Sequence, residues 1–351
     1  MFSSISVIIT LYNKADYIGR ALNSVLSQTT PCQEIIVVDD GSTDRGVEVV
    51  QAFQDPRIRL IRQQNQGVNT ARNQGITAAQ GDLIALLDAD DEWRPRFLET
   101  IVRLTWKFPQ AGAFATNYQY VTRGHRVKWC RAPVLPHGLK EGLIENYFRV
   151  GRHWPVHPSA VAMPKSVLLE LGGFLERVYG ADEELVLRIA LRYPIAWSQE
   201  TLAVYYQNVP QQISRTPRLW PPGEPPASKT ARAALAAKFV PPEQAADLRE
   251  YAAFFQISRA FDYLESGNSD QAFRLLDLAR GTQWLARNRA KICLARLLAA
   301  LPGNGFAHYR KWWGVEGNLQ LTVRRCLGYF RAKEESGKSN GTLQSGTESV
   351  K

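Results

Sequence analysis

The first 110 residues alternate short, continuously apolar runs with longer stretches whose apolar residues recur every three or four positions. Continuous β-branched runs are typical of strands that are buried on both faces. Nearly continuous runs of this kind fall at Ile5–Thr10 and Glu34–Val38, and further strand-like runs fall at Ile58–Ile61 and Leu83–Leu87. The helical spacing falls at Lys14–Gln28, Thr43–Phe53, Val68–Ala79 and Pro95–Phe108. Repeated strand–helix–strand order needs crossover connections, so the pattern predicts an α/β fold with a mostly parallel central sheet flanked by helices.

The rest of the chain is less regular and then becomes helical. Its predicted strands are Ala113–Val121 and Val156–Met163, and its predicted helices are Pro164–Leu171 and Asp182–Leu191. Six prolines between Pro210 and Pro226 predict a linker. Beyond it the chain is rich in Ala, Leu and Arg, with a helix-connecting turn at Gly267-Asn268. We therefore divide the chain into an α/β domain (1–208), a proline-rich linker (209–228), a helical extension (229–333) and a disordered tail (334–351).

Composition places the chain among folded globular proteins. It has 351 residues, of which 45% are hydrophobic and 22% charged, and no apolar run approaches the roughly 18 residues that span a bilayer. The N-terminus lacks the basic region and apolar core of a secretion signal. The four cysteines lie far apart, which excludes a CxxC zinc pair and a dense disulfide framework. We therefore expect a cytoplasmic protein.

The net charge of +10 is concentrated in the helical extension. Eleven basic residues lie between Arg280 and Lys333 against the single acidic residue Glu316, so the remainder of the chain is balanced. The segment 318–331 has the pattern of an amphipathic basic helix, and a Trp-Trp pair precedes it. Three interpretations stay open: a helix packed on the α/β domain, peripheral docking on the anionic inner face of the cell membrane, and a protein or nucleic-acid partner. No nucleic-acid motif accompanies the charge, so we expect no nucleic acid.

Acidic residues follow two of the predicted strands. Asp39 and Asp40 come after the second strand, and the run Asp88-Ala89-Asp90-Asp91 comes after the fourth. The carboxyl ends of parallel strands form the usual ligand-binding edge of such sheets, and clustered carboxylates need a cation, hydrogen-bond donors or a raised pKa. Asp88 and Asp90 point to the same side of an extended backbone, which suits Mg²⁺ or Mn²⁺. A solvated, helix-capping turn is the alternative.

Four segments together resemble the successive motifs of glycosyltransferase family 2. They are Ser6–Asn13, Val37–Asp44, Gly67–Gly75 and Leu87–Asp91, and their order and spacing match across a resemblance of about residues 3–205. The resemblance implies the nucleotide-diphospho-sugar transferase fold of GT-A type, a nucleotide-diphosphate sugar donor and an inverting mechanism. The α/β domain is then a glycosyltransferase catalytic domain.

The resemblance also implies roles for single residues on the donor side. Thr10 and Tyr12 would line the base pocket, Asp40 would accept a hydrogen bond from the nucleobase, and Arg72 would lie near the nucleotide. Asp88 would lie near the ribose and the metal. Asp90 would be the main ligand of Mg²⁺ or Mn²⁺. Asp39 is expected to be a structural partner, and Asp91 either assists the metal or caps the following helix.

The general base is expected in a second acidic segment. The segment 180–188 aligns with the family's acidic pair before a Leu-x-Leu-Arg helix, but Ala181 replaces the glutamate. Asp182 then stands where the base stands, with Glu184 as the second candidate and Glu183 as a poor third; an N-cap role for Asp182 is the alternative. The turn Leu171–Phe174 supports this register. The three residues His153, Trp154 and His157 are expected to be core residues rather than acceptor contacts.

The resulting hypothesis is an inverting, metal-dependent hexosyltransferase. It would move a sugar from a nucleotide-diphosphate donor, expected to be a UDP-sugar from the family resemblance, to a hydroxyl of a glycan or lipid-linked acceptor, in cell-surface polysaccharide, lipopolysaccharide or glycolipid synthesis. A sugar nucleotidyltransferase would need a glycine-rich, basic loop after the first strand, and a dinucleotide-dependent oxidoreductase would need GxGxxG; neither is present. An inactive scaffold or binding protein with the same fold stays open, because the acidic pair is altered.

Overall fold

The computed structural model describes residues 4–122, 126–129, 134–207, 209 and 223–286. The strands in these ranges are β1 (Ile5–Leu11), β2 (Glu34–Asp39), β3 (Ile58–Arg62), β4 (Leu83–Asp88), β5 (Glu92–Trp93), β6 (Ala113–Thr122), β7 (Arg126–Trp129), β8 (Glu141–Leu143), β9 (Val161–Pro164) and β10 (Ile195–Tyr206). The helices are α1 (Ala15–Leu26), α2 (Gly46–Gln51), α3 (Val68–Ala78), α4 (Phe97–Lys107), α5 (Tyr147–Val150), α6 (Lys165–Glu170), α7 (Ala181–Ala190), α8 (Pro226–Ala236), α9 (Pro242–Glu265) and α10 (Ser269–Leu278).

All the described strands form one sheet, in the order β3-β2-β1-β4-β9-β6-β10-β5, with β7 added to β6 and β8 added to β10. The four strands predicted from the first 110 residues are parallel neighbours, and β6 and β10 are also parallel. The short strand β9 runs antiparallel to β4 and β6 and joins these two groups. The predicted fold class, a mostly parallel sheet flanked by helices with C-terminal helices, is confirmed.

The sheet is buried on both faces because its strands alternate between two apolar layers. Ile8 of β1 and Ile36 of β2 pack against α3, whereas Val7 and Ile9 of β1 pack against α1 and α4. This two-sided burial explains why the strands read as continuous apolar runs. The strand register also places Thr10 beside Asp88, and Leu11 beside Asp39. The acidic residues that follow separate strands therefore meet at one edge.

The short elements β5, β7, β8 and α5 were not predicted, and two further elements differ from the predicted pattern. The long strand β10 was not predicted, because the polar run from Ser198 to Thr201 interrupts its apolar pattern; its register with β6 shifts at this point. The strand predicted over Val156–Met163 is shortened to β9. Pro158 begins a turn of 3₁₀ helix before it, since proline fixes φ and has no N–H to donate to a strand ladder.

The C-terminal helices α8 and α9 pack directly on the α/β domain. Ala227 and Ala231 of α8 and Leu248 and Tyr251 of α9 share an apolar core with Leu185 of α7, while α9 and α10 enclose a smaller core of their own. In the ranges that the structure describes, no helix is both long and apolar enough to cross a membrane. The predicted amphipathic basic helix (318–331), the disordered tail (334–351) and most of the proline-rich linker lie outside the described residues.

Two helical glycines allow a matched test of this packing. A Cβ on Gly75 in α3 would lie 2.5 Å from Cγ2 of buried Ile8, whereas a Cβ on Gly19 in α1 would meet only Val49, at 3.8 Å. We expect Gly75→Ala to lower the free energy of unfolding by about 1–3 kcal/mol through overpacking. Gly19→Ala should raise it by about 0.5–1 kcal/mol through helix propensity. Urea unfolding measures both, and equal effects at the two positions would contradict the close approach of α3 to β1.

Candidate functional site

The loop after β1 is fixed to the loop after β2. Asn13 has φ of +51°, its N–H donates to Ser42 Oγ at 3.0 Å, and its Oδ1 accepts the Thr43 N–H at 2.8 Å. Asn tolerates this left-handed conformation better than most residues. Tyr12, the residue before it, is 42% exposed, and Thr10 is half-buried at the end of β1. Both residues that the motifs assign to the base pocket therefore lie at the carboxyl edge of the sheet, with the Tyr12 ring reachable from solvent.

Asp40 organises the loop that leads into α3. Its Oδ1 accepts hydrogen bonds from Gln63 Nε2 (2.7 Å) and from the Gln66 N–H (2.8 Å), and its Oδ2 accepts the Gly67 N–H (2.8 Å). Gly67 has φ of +93°, which favours glycine at this point. The carboxylate of Asp40 is buried and accepts three of the roughly four hydrogen bonds it can take. A contact from Asp40 to a nucleobase remains a prediction.

Asp39 has different partners from Asp40. Its Oδ1 accepts the Ser42 N–H at 3.0 Å, and its Oδ2 lies 3.6 Å from Arg62 Nε, although the Asp39 side chain is almost completely buried. Neighbouring positions of a strand point to opposite faces, which explains why the two carboxylates serve different loops. These contacts are those of the structural partner that the sequence led us to expect.

Arg72 lies next to Asp88 beneath the edge of the sheet. Its Nη2 donates to Asp88 Oδ1 at 2.8 Å, and its guanidinium stands 5.2 Å from the centre of the Phe174 ring. Burial acts to lower the pKa of Arg72, but the carboxylates of Asp88 and Asp182 outweigh it and raise this pKa. Burial likewise acts to raise the pKa of Asp88, and Arg72 reverses the effect and lowers it. The pair is therefore ionised, with Asp182 close enough to act on the same guanidinium.

Asp90 and Asp91 have separate partners. Asp90 Oδ2 lies 3.0 Å from Lys14 Nζ, and burial together with the charge of Asp88 raises the Asp90 pKa. Asp91 is fully buried; it accepts the Ser159 hydroxyl at 2.6 Å and the Tyr206 N–H at 3.1 Å. The capping role is not seen, because the two oxygens of Asp91 accept hydrogen bonds from Ser159 and Tyr206; assistance to a metal stays a prediction. The helix α4 begins only at Phe97 and has no side-chain cap.

The donor set at this edge fits a hard divalent cation. The half-buried carboxyl group of Asp88 and the buried carboxyl groups of Asp90 and Asp91 face two cationic side chains, Lys14 and Arg72. Burial and mutual repulsion raise the pKa values of Asp90 and Asp91. One oxygen each of Asp88 and Asp90 lies outside the two ion pairs. Mg²⁺ and Mn²⁺ commonly use one or two carboxylates together with phosphate and water. Among the described residues no group of three or more potential metal ligands is arranged around a common point.

The two candidate bases have different surroundings. Asp182 lies in the first turn of α7, on the wall of a narrow apolar cleft, and it acts electrostatically on Arg72 and His157. Glu184 is 2% exposed: Arg188 donates to both its oxygens at 2.9 Å, and the Thr230 hydroxyl donates to its Oε1 at 2.8 Å. The carboxylate of Glu184 therefore fastens α8 to α7. The geometry favours Asp182 over Glu184 as the group that meets a substrate.

The turn before α7 is attached to α3 by a residue that the sequence analysis did not single out. Asn73 accepts the Phe174 N–H at 2.8 Å and donates to the Phe174 carbonyl at 2.9 Å. From the other side, Arg188 donates to the carbonyls of Leu171 and Gly173. Asn73 directly follows Arg72 in the third motif, and this position was the only signal for it. The contact links the helix that carries Arg72 to the segment that carries Asp182.

The residues expected to be core separate into two kinds. His157 is buried between the rings of Tyr118 and Tyr205, at 4.9 and 4.6 Å between ring centres, and burial lowers its pKa to about 4. Its Nδ1 accepts the Ser159 N–H, so the imidazole is neutral with its proton on Nε2. Trp154, in contrast, is 40% exposed. The expectation holds for His157 and is wrong for Trp154.

The fold resembles that of solved proteins that bind nucleotide sugars. TarS residues 1–349 from S. aureus, solved in complex with UDP-GlcNAc, has a TM-score of 0.61 and 16% identity over 90% of this chain and 93% of that one. The mannosyltransferase PcManGT from Pyrobaculum calidifontis, in complex with GDP-Man and Mn²⁺, has a TM-score of 0.51 and 20% identity over 90% and 89% of the two chains. At these identities the likeness concerns the fold.

Residues 6–164 match the family model described as Glycosyl transferase family 2, which confirms the resemblance found in the motifs over this part of the chain. An uncharacterized glycosyltransferase of Nostoc sp. is 36% identical over 208 residues, which are 57% of this chain and 64% of that protein. The succinoglycan biosynthesis protein ExoO of Rhizobium meliloti is 44% identical over 99 residues, 28% of each chain. The chain thus spans less than two thirds of the length of these relatives.

Proposed function

We propose that this protein is an inverting glycosyltransferase that moves a sugar from a nucleotide-diphosphate donor to an acceptor hydroxyl. One observation carries the proposal: the buried guanidinium of Arg72 hydrogen-bonds Asp88 at the edge of the sheet and stands 5.2 Å from the centre of the Phe174 ring, in the segment that leads to Asp182 at the start of α7. A donor bound at the edge and an acceptor deprotonated by Asp182 would therefore meet above the same residue. The family match of residues 6–164 supports the reaction class.

The donor is assigned to the loops at the carboxyl ends of β1, β2 and β4. The exposed ring of Tyr12 and the half-buried Thr10 would contact the base, Asp40 would accept a hydrogen bond from it, and Arg72 would lie near the diphosphate. Asp88 and Asp90 would hold Mg²⁺ or Mn²⁺, which when bound offsets the negative charge that develops on the nucleotide diphosphate. Lys14, paired with Asp90, adds a positive charge to the same place.

The chemical step assigned to the protein is a proton transfer. The carboxylate of Asp182 accepts the proton of the acceptor hydroxyl while that oxygen forms a bond to the anomeric carbon. The bond from this carbon to the phosphate oxygen breaks, and its electron pair leaves with the nucleotide diphosphate. A single displacement of this kind inverts the anomeric configuration. Arg72 stabilises the negative charges on both sides of the reacting carbon.

The donor and the acceptor class are also part of the proposal. We infer a UDP-sugar first and a GDP-sugar second, since the structural neighbours named above bind UDP-GlcNAc and GDP-Man. The name of the succinoglycan biosynthesis protein supports an acceptor glycan of a cell-surface polysaccharide. Thermal-shift screening of nucleotide-diphosphate sugars tests the donor, because a ligand that binds only the folded state raises Tm. If no such sugar raises Tm and none is turned over, the inactive scaffold becomes the better interpretation.

We expect Asp182→Asn to lower the turnover of the best donor by about hundredfold or more, because the acceptor loses its proton acceptor. Glu184→Gln should act mainly on the fold: it breaks the buried pair with Arg188 and should cost on the order of 3 kcal/mol of stability. Turnover and Tm measured on both variants separate the two roles, with the exposed Asp16→Asn as the control. Full activity in Asp182→Asn would remove Asp182 as the base.

We expect turnover to need a divalent cation and to fall by about hundredfold in Asp90→Asn, because that variant loses a charged metal ligand. Calorimetric titration of Mn²⁺ in the presence of UDP should show binding to the wild type and to Asp16→Asn, and little binding to Asp90→Asn or Asp88→Asn. Circular dichroism monitors the fold of each variant. Turnover that survives EDTA, or Mn²⁺ binding that survives both substitutions, would contradict the metal assignment.

We also propose that the protein works in the cytoplasm, where nucleotide sugars would reach it, and docks peripherally on the inner face of the cell membrane. The eleven basic residues between Arg280 and Lys333 support this, since clustered Lys and Arg bind anionic lipid surfaces. The full chain should float with phosphatidylserine vesicles at low salt and dissociate at high salt. Phosphatidylcholine vesicles are the control. Absence of flotation at low salt would end this proposal.

A further inference from the structure

Trp154 is held in a conformation that a tryptophan rarely adopts. Its φ and ψ are +57° and 55°, in the left-handed region, and yet the residue is 40% exposed. Its N–H donates to the Gly151 carbonyl at 3.0 Å, and its carbonyl accepts the Tyr118 hydroxyl at 2.8 Å. A bulky residue in this region costs free energy and persists only where its surroundings fix it. The indole is therefore presented toward solvent by a fixed backbone.

The surroundings that fix this backbone include the C-terminal helices. A Cβ on Gly151 would lie 2.7 Å from the ring of Tyr251 in α9 and 2.8 Å from the ring of Tyr147, so the chain approaches α9 as closely as only glycine allows. Arg152 stands 5.8 Å from the centre of the Trp284 ring. On the other side, Trp197 Nε1 donates to the Pro155 carbonyl at 3.0 Å. The helical extension thus supports the turn that carries Trp154.

The indole of Trp154 borders the cleft that contains Asp182. The cleft is lined mainly by apolar groups, and its polar lining is acidic. The residues that matter here are Tyr147, Trp154, Val156, Phe174, Asp182 and Glu183. Because the cleft is narrow, a ligand would lie across its mouth, against the exposed indole, with its polar groups directed to Asp182. Phe174 at the same cleft carries the guanidinium of Arg72 on its ring, which connects the cleft to the donor side.

This combination of groups matches a sugar ring. A pyranose has an apolar face of C–H groups that packs on an aromatic ring, and its hydroxyls donate to carboxylates. An apolar chain would leave the carboxylate of Asp182 without a partner in the contact. A cationic ligand would bring a second positive charge near Arg72. Among these classes, a glycoside satisfies both the indole and the acid.

We propose that Trp154 and the mouth of the Asp182 cleft form the acceptor subsite, and that this subsite takes a pyranoside whose apolar face stacks on the indole. The proposal rests on the proposed function, because it identifies the acceptor with the substrate that Asp182 deprotonates. It also gives the C-terminal helices a role, since Tyr251 and Trp284 hold the turn that presents the indole.

The experiment compares the full-length wild type with Trp154→Ala, Trp154→Phe and the control Trp106→Ala, which removes an indole that is 62% exposed on α4. The probes are the methyl and octyl β-glycosides of glucose, galactose and N-acetylglucosamine. Saturation-transfer NMR measures glycoside binding without turnover. Nucleotide release from UDP-GlcNAc, UDP-glucose and GDP-mannose is measured with and without each octyl glycoside.

We expect Trp154→Ala to weaken glycoside binding and raise the acceptor KM by about tenfold, the scale of a lost aromatic contact. Trp154→Phe should retain most of the binding, because it keeps an aromatic face. Acceptor-independent release of nucleotide should be the same in both variants, in Trp106→Ala and in the wild type. Thermal unfolding checks that the variants are folded.

Three results would overturn the subsite: equal glycoside binding by Trp154→Ala and wild type, an equal loss in Trp106→Ala, or absence of glycoside binding by the wild type. A loss of acceptor-independent nucleotide release in folded Trp154→Ala would also overturn it, since the residue would then act on the donor. These outcomes are separate from failure of the proposed function. If the wild type releases nucleotide but binds no glycoside, the proposed transferase function stands and the proposed subsite is wrong. If it binds glycosides through Trp154 but releases no nucleotide, the subsite stands and the transferase function is wrong.

Discussion

The structure depends on the compensation of buried negative charge at one edge of the sheet. The carboxyl end of β4 and the turn after it bring Asp88, Asp90 and Asp91 to this edge, where Asp90 and Asp91 are buried and Asp88 is half-buried. A buried carboxylate is costly unless it is paired or hydrogen-bonded. Arg72 compensates Asp88, Lys14 compensates Asp90, and the Ser159 hydroxyl and Tyr206 N–H serve Asp91. The elements that bring these partners, α3, the loop after β1, and the region from β9 to β10, are thereby held around one point.

The same compensation joins the two halves of the site. Arg72 is fixed by Asp88 on one side and lies on Phe174, and the backbone of Phe174 is held by the neighbouring residue Asn73. Because Phe174 belongs to the segment that leads into α7, the position of Asp182 depends on the helix that carries Arg72. A change in the charge at the edge of the sheet would therefore alter the position of the segment that carries Asp182. In the proposed function, this chain of contacts would let donor binding and acceptor activation influence each other.

Sequence reasoning reached the parts of the fold that repeat a local pattern. The strands β1, β2 and β4 are nearly continuous apolar runs, and the acidic residues that end β2 and β4 meet at one edge because the sheet is parallel there. The strand β10 escaped because a bulge interrupts its pattern. The roles of Lys14 and Asn73 were not predicted for another reason. Each is a single polar residue on a helix or loop, and only the tertiary structure shows which charge or backbone group it contacts. The prediction for Trp154 was wrong because a tryptophan in a sequence does not indicate whether its ring is buried or exposed to solvent.

The second acidic candidate explains why the helical part cannot be treated as an appendage. Glu184 lies two residues after Asp182, yet its carboxylate is buried. It accepts hydrogen bonds from Arg188 of the same helix and from Thr230 of α8. Arg188 in turn holds the carbonyls of the turn before α7, so one ion pair joins α8, α7 and the Phe174 segment. The predicted proline-rich linker separates the α/β domain from the helical extension along the sequence only. In space, Ala227 and Tyr251 belong to the same apolar core as α7, and Tyr251 packs closely against Gly151, which lines the cleft beside Asp182.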